Sequence, residues 1–533
     1  MRKSALYLSL IVTILAAIGS YYNYHIGWLL LISIPVLVIA FSDRLQKSHS
    51  LLRNYPFFAH ARWLTEAIRP YFRQYLMESE TSGRPISRMY RSIVYQRAKN
   101  SLDTIPFGTK VDTNRVGYEW IGHSITAHSP KEDPHHNRVQ VGNQQCQQPY
   151  SASLLNISAM SFGALSNNAI RALNKGAKMG SFYHNTGEGG LSDYHLEHGG
   201  DVVWQIGTGY FGCRNKDGNF DAESFKEKAQ LDAVKMVEIK LSQGAKPGHG
   251  GILPAAKNTQ EIARIRQVPE GTDVLSPPSH TAFSTPQGLL EFVQQLRDLS
   301  GGKPVGFKLC VGNKSEFIAI CKAMRERQIY PDFITVDGGE GGTGAAPLEY
   351  SNSIGMPLRD ALVFVDDCLR GFDLREHVKI IASGKIFTAF HIVKYIALGA
   401  DLCNSARGMM FALGCVQSLT CNTNRCPTGV ATQDPRLAKG LVVSDKSVRV
   451  KNFHEKTVKA TNELLSSVGL HSVTEVKRKH IFRRVTASTV LRFDEIYPVQ
   501  AAGCFLRDEI PDKYRLYYDE AQADSFAPLE VSA

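Results

Sequence analysis

Three cysteines fall on one short stretch, Cys415, Cys421 and Cys426, spaced C-x5-C-x4-C with Pro427 directly after. Thiolates gathered in a loop, the last before proline, suit an iron–sulfur cluster. Three of them match a three-iron cluster better than a four-iron one. Zinc would want a fourth ligand and usually a C-x2-4-C pair, which this stretch lacks. Chance clustering of buried thiols is the third possibility, and the other seven cysteines, which stand alone, read as small buried hydrophobes. Two lysines, Lys240 and Lys308, sit inside apolar runs. An ammonium there is costly without a partner, so each faces either a salt bridge or an anionic ligand.

Glycine-rich loops follow both lysines and recur through the chain: HNTGEGG, SQGAKPGHGG, VDGGEGGTGAAP, SGK and ARG. Such loops let backbone N–H groups approach a ligand closely, although single glycines also serve only to turn the chain. Ser383-Gly384-Lys385 and Arg407-Gly408 are candidates for a phosphate site.

Something must hold these loops at one end of a scaffold. After about Pro149, short apolar runs alternate with helical patterns. The expected strands are Leu154–Met160, Ser181–Asn185, Asp201–Ile206, Met236–Leu241, Pro304–Cys310, Asp332–Val336, Val378–Ala382 and Asp401–Ser405. The clearest helices are Asn167–Lys178, Ser315–Arg327 and Thr388–Leu398. Eight strands alternating with helices predict an α/β fold, a (β/α)8 TIM barrel with its site in the loops after the strands. The loops after the seventh and eighth strands, a frequent phosphate site in barrels, are the two named above. The stretch from Gly244 to Gly302 is too long for a plain connection and should carry function.

The 533 residues, 43% hydrophobic and 21% charged, describe a folded globular chain with ample core. The net charge of +11 is concentrated early: Asp43 to Asn100 holds eleven Lys/Arg against four Asp/Glu. No nucleic-acid-binding motif accompanies it, so no nucleic acid partner is expected. Two apolar runs precede this basic stretch, about Ala5–Ser20 and Trp28–Phe41. With Arg2 and Lys3 before them and Arg44 and Lys47 after, they predict a transmembrane helical hairpin with both ends cytoplasmic. A cleaved signal peptide is the alternative for the first run. The expected organisation is a membrane hairpin over 1–45, a basic helical connector and cap over 46–150, the barrel over 151–440 and a helical extension over 441–533.

Five segments, ISAMSFGALS, NTGEGG, IKLSQGAKPGHGG, GGEGGTGAAP and ALGCVQSLTCNTNRCPTGVATQDP, together resemble the synthase domain of glutamate synthase over roughly Leu154 to Leu437. The resemblance implies a barrel holding FMN and a [3Fe-4S] cluster. The cluster feeds electrons to the flavin, which reduces the imine of 2-oxoglutarate and ammonia to L-glutamate. It implies Cys415, Cys421 and Cys426 as cluster ligands. Ser158, Met160 and Ser161 would run along the flavin. Lys240 and Gln243 would contact flavin or substrate, and Lys308 would lie near the flavin ring and the keto acid. Ser383, Gly384, Lys385, Arg407 and Gly408 would surround the phosphate. Lys246 would meet a substrate carboxylate, and Glu188 would be a catalytic carboxylate or relay.

Departures from the family pattern set further expectations. The glutaminase domain and the C-terminal β-helix of large glutamate synthases are missing from this sequence. Ammonia would come free, from a separate glutaminase, or be replaced by another amine. His249 stands where the family has a carboxylate in KPGEGG, which brings it into the candidate substrate loop. The same cofactors acting on a different amine or keto acid, as in N-methylglutamate-synthase relatives, and a non-catalytic electron-transfer subunit are the alternatives. No dinucleotide fingerprint is evident, so the donor is expected to be ferredoxin, a reductase subunit or a membrane quinol. The expected location is the membrane, with the catalytic domain in the cytoplasm.

Overall fold

The computed structural model describes residues 4–130 and 137–530. Arg2 and Lys3, invoked above for topology, lie outside the described residues. The chain forms two compact units, Met1–Pro85 and Ile86–Ala533.

In the first unit, α1 (Ser4–Tyr22) and α2 (Leu30–Leu45) pack against each other through a short 3-10 turn. By length and composition, Ser4–Tyr22 and Tyr24–Leu45 are each able to cross a membrane, and their apolar side chains are largely exposed. Helix α3 (His60–Phe72) follows, and its last turn widens into a π-helical turn over Arg73–Met77.

The second unit is built on a closed barrel of eight parallel strands. These are β1 (Leu155–Ile157), β2 (His184–Asn185), β3 (Val202–Ile206), β4 (Val234–Lys240), β5 (Val305–Leu309), β6 (Phe333–Asp337), β7 (Lys379–Ser383) and β8 (Leu402–Ser405). All eight expected strands are present, in sequential order, with β8 pairing β1 to close the ring. The strands read as continuous apolar runs because both faces are buried, as parallel sheets under helices require. β1 and β2 are markedly shorter than expected, each for a local reason. Ser181 is not strand: it caps α4 (Asn167–Gly180) in the left-handed conformation, at φ 53°. Residues beyond Ile157 leave β1 for the loop at the barrel mouth.

The barrel interior is partly polar. Glu238, on β4, is buried and accepts from Asn185 Nδ2 (2.8 Å), Gln205 Nε2 (2.6 Å) and Thr335 Oγ1 (2.6 Å). Both of its oxygens have a donor, which makes a buried carboxylate tolerable.

The Gly244–Gly302 stretch is not one loop. It holds a two-stranded antiparallel ribbon (Ile252–Leu253 with Val274–Leu275), a helix over Gln260–Arg266 and the barrel helix Pro286–Leu299. The C-terminal segment, read as helical, also carries strands. Ile481–Arg484 pairs with both Val490–Arg492 and Glu119–Ile121, the latter in the stretch read as a helical connector.

Two devices fasten the C-terminal segment to the barrel. Helix α6 (Val443–Val468) crosses α4 at Gly176, where an added Cβ would lie 2.8 Å from the Ser447 carbonyl oxygen. Arg478, almost wholly buried, reaches Asp366 at 2.9 Å and Asp367 at 3.2 Å on α5 (Leu358–Gly371), and donates to the carbonyls of Tyr497 and Pro498. Without Arg478, Asp366 keeps Arg370 and Arg375 and Asp367 keeps Lys513, so neither carboxylate is stranded, but the bonds that tie the C-terminal segment to α5 are lost. Arg478→Met is therefore expected to destabilise the second unit by about 1–3 kcal/mol in urea denaturation.

Candidate active site

The loops at the carboxyl ends of the strands enclose a cleft that is partly open to solvent. Met160, Ser161, Glu188, Gln243, Lys246 and Arg407, all singled out from the sequence, line it, and Cys421 stands in its wall. The other sequence candidates lie around or away from it. Ser158 and Ser383 meet across the ends of β1 and β7, their hydroxyls 3.3 Å apart. Gly384 (φ 148°) and Lys385 (φ 50°) follow in the turn after β7. Gly408 packs so tightly under Ser405 and Phe453 that an added Cβ would sit 2.5 Å from Ser405 Oγ. His249 does not line the cleft. Its ring stands edge-on to Tyr350 and its Nδ1 lies 2.9 Å from the Gly250 carbonyl oxygen.

Lys240 ends β4 and reaches Glu188 with its Nζ 2.8 Å from Oε2. Burial pushes the Glu188 carboxyl up, but the ammonium of Lys240, with Lys246 and Arg266 behind it, holds it below the usual carboxylate range. Burial pushes Lys240 down, against the pull of Glu188. Lys246 is brought down to about 8 by burial. Glycine makes room for this carboxylate: a Cβ at Gly251 would lie 2.5 Å from Glu188 Oε1, and one at Gly207 2.8 Å from Glu188 Cβ. On the neighbouring strand Lys308 stands beside Lys240 in register and lies 3.6 Å from Asp337 Oδ2, which also accepts from the Gly244 N–H at 2.9 Å. Both lysines thus have salt-bridge partners within the barrel mouth.

Four residues of this cluster are new to the structure. Arg266 is buried, donates to the Phe162 carbonyl at 3.3 Å, and is brought down to about 10 by burial despite Glu188 nearby. His280 is held to about 4 by burial, so it is neutral at physiological pH. Its Nε2–H donates to the Lys240 carbonyl (2.9 Å) and its Nδ1 accepts from the Tyr210 hydroxyl (3.1 Å). It therefore braces the backbone that carries the ion pair. Asp337 is the third, and its position at the end of an apolar run was a legible signal. The fourth is Lys257, which lines the cleft, donates to the Ala164 carbonyl at 2.9 Å, and senses the thiols of Cys421 and Cys426.

The cysteine loop is held from outside. Tyr95 donates to the Cys415 carbonyl at 2.6 Å, and Gln417 Nε2 to the Ile86 carbonyl at 3.4 Å. Burial pushes the Cys426 thiol up, but the Thr428 hydroxyl and the backbone N–H groups of Ala431, Thr428 and Val430 outweigh it and hold the thiol down. Burial pushes Cys415 up to about 11. The three thiols are close enough to influence one another. Among the described residues, however, no group of three His, Cys, Asp or Glu side chains converges as a metal cage.

The electrostatics of the ion pair are testable. Lys240→Met removes the charge that opposes burial, so the Glu188 carboxyl is expected to rise. The check is a protonated-carboxyl stretch in infrared difference spectra that titrates at higher pH in this variant and vanishes on adding Glu188→Gln.

Comparison with known proteins agrees with the motifs. Residues 124–471 match the family model described as a conserved region in glutamate synthase. The glutamate synthase large subunit-like protein YerD of Bacillus subtilis is 38% identical over 508 residues, spanning 87% of this chain and 96% of that protein. The archaeal glutamate synthase [NADPH] of Methanocaldococcus jannaschii is 35% identical, and the match spans 60% of each chain. Among solved structures, a flavocytochrome b2 variant with pyruvate bound aligns with a TM-score of 0.41 and 11% identity, over 85% of this chain and 90% of that one. Such a distant likeness adds nothing to the topology already described. Sequence motifs, barrel and family match converge: the chain belongs to the glutamate synthase family and is an oxidoreductase of that family.

Proposed function

We propose that the protein makes L-glutamate from 2-oxoglutarate and ammonia, with FMN at the barrel mouth and an iron–sulfur cluster on the cysteine loop. The observation that carries this is the composition of the cleft. Three cations, Lys246, Lys257 and Arg407, stand in its wall with a single carboxylate, Glu188, which is committed to Lys240. Such a cleft selects anions.

The residues fit a flavin phosphate. Among the described residues Arg407 bonds only neutral groups, the Thr343 carbonyl (2.7 Å) and the Met410 sulfur (2.9 Å), and none of their carboxylates neutralises it. The floor is made of glycine: a Cβ at Gly187 would lie 3.0 Å from the Ser161 nitrogen, and one at Gly342 2.8 Å from Arg407 Nε. Ser383, Gly384, Lys385, Arg407 and Gly408 would take the phosphate, and Ser158, Met160 and Ser161 the ring. For a [3Fe-4S] cluster the donor set fits in kind: Cys415, Cys421 and Cys426 are thiols on one loop, and backbone N–H groups favour the thiolate at Cys426.

Bound FMN would supply a hydride to the imine carbon, and the cluster the single electrons that restore it. The chain's own residues do the rest. Lys246 and Gln243 would hold a keto-acid carboxylate. Glu188, kept ionised by Lys240, would accept the proton that ammonium loses on attack and give it to the departing keto oxygen, which leaves as water; after hydride transfer the product nitrogen would take its last proton from solvent. Lys308, paired to Asp337, would keep the mouth cationic beside the keto group. Ile252, Leu253 and Pro254 form the apolar lip that limits water. His249, off the cleft, gives no reason to enlarge the amine. Helices α1 and α2 would anchor the chain in a membrane with the barrel in the cytoplasm. Electrons would come from ferredoxin, a reductase subunit or a quinol, and ammonia from solution or a separate glutaminase.

The test is anaerobic stopped-flow absorbance on detergent-purified protein, chemically reduced, then mixed with 2-oxoglutarate and ammonium. Rapid flavin reoxidation with glutamate recovered is expected; a flavin that stays reduced with this pair overturns the assignment. Affinity for 2-oxoglutarate should fall as pH rises through about 8, where Lys246 loses its charge, and Lys246→Gln should flatten that dependence. Cys421→Ser should lose iron and labile sulfide while retaining bound FMN.

A further inference from the structure

Helix α3 carries no buried residue, although it is rich in apolar side chains. At 3.6 residues per turn, Leu64, Ile68, Tyr71, Phe72 and Tyr75 fall within an arc of about 100°. All five are exposed. The opposite arc, about 60° wide, holds Arg62, Glu66, Arg69 and Arg73. An exposed apolar stripe of this size on a water-soluble surface is unfavourable and marks an interaction face. The π-helical turn over Arg73–Met77 advances less per residue than an α-turn, which keeps Leu76 on the apolar side with Tyr75.

Its start is fixed to the end of α2. Asp43, in the last turn of α2 and almost wholly buried, receives His60 Nε2 at 2.9 and 3.0 Å and the Phe57 N–H at 2.8 Å. Trp63 stacks edge-on against His49, 5.6 Å between ring centres. The helix therefore leaves from the level at which the apolar helix ends. Three arginines against one glutamate, with Arg44, Lys47 and Arg53 just before, give this unit a positive rim. Tyrosine and tryptophan at the boundary are the side chains that favour the zone between lipid tails and headgroups.

We propose that α3 is an interfacial helix that lies along an anionic lipid surface, its Leu64–Tyr75 face among the upper acyl chains and its arginines among the headgroups. This rests on the proposal that α1 and α2 are membrane-embedded. The occupant is a bilayer rather than a protein because charge and apolarity are separated around the helix as they are across a lipid boundary. A protein groove would not need three arginines on the far face.

The test uses full-length protein in vesicles of phosphatidylcholine, with and without phosphatidylglycerol, that contain acyl-chain-brominated lipid. Ile68→Trp and Arg69→Trp are each made in a Trp63→Phe background, and the added emission is read by difference. Severalfold stronger quenching of the Ile68→Trp signal than of the Arg69→Trp signal, increasing with phosphatidylglycerol, is expected. Equal quenching at the two positions overturns the oriented helix. Quenching as strong without phosphatidylglycerol overturns the anionic surface. A blue-shifted Ile68→Trp signal that bromine leaves untouched means that a protein, such as a second copy of this chain, covers the face, and overturns the proposal. Trp28, read by difference against Trp28→Phe, separates the causes of failure. If Trp28 is quenched while Ile68→Trp is not, only the interfacial helix fails. If neither is quenched, the membrane reading of α1 and α2 fails with it.

Discussion

The structure at the barrel mouth depends on one ion pair. Glu188 and Lys240 come from alternate strands of the barrel, one in the loop after β2 and one at the end of β4, and meet at 2.8 Å with little exposure to water. Either alone would be intolerable there. Together they fix where two loops stand, leave a carboxylate charged inside the protein, and require glycine at positions 207 and 251 to give it space. His280 and Tyr210 brace the Lys240 backbone from behind. The surplus of cations around the pair, Lys246 and Arg266 above all, is what an anionic ligand would neutralise.

The barrel beneath is a precise support for that pair. Its interior carboxylate, Glu238, is bound by three side-chain donors from three other strands, so the ring is stitched by polar bonds as well as by apolar packing. A network in which every member is satisfied confers rigidity that an apolar layer of the same volume does not. Rigid strands in turn allow glycine-rich loops to hold defined shapes at the mouth, since the variable parts are short and anchored at both ends.

Much of this was legible in the amino-acid order. Most strands announce themselves because burial on both faces makes them largely apolar, and glycine marks where each one ends. Boundaries slipped where a local device replaced strand pairing, as at Ser181, which caps a helix. Lys240 and Lys308 stood out as charges inside apolar runs, but their partners could not be read, because Glu188 lies about fifty residues before Lys240. Arg266 and His280 were invisible for a related reason. Each sits in the Gly244–Gly302 stretch, where nothing in the local pattern distinguishes a basic helix residue or a lone histidine from one turned inward. Lys257 reads as a surface lysine and is buried only because Ala164, nearly a hundred residues earlier, offers it a carbonyl.

The grip of Tyr95 and Ile86 on the cysteine loop bears on how the chain can be shortened. The boundary between the two compact units falls at Pro85/Ile86, and the helix that begins at Arg88 is already bonded to the loop through Tyr95. Trimming that starts at the membrane end can proceed safely only as far as that boundary. A few residues further and the loop loses both of its outer supports, and the core loses the buried side chains of Ile86 and Val94. The shortest useful form of the protein is thus set by the needs of its thiols as well as by the limits of its core.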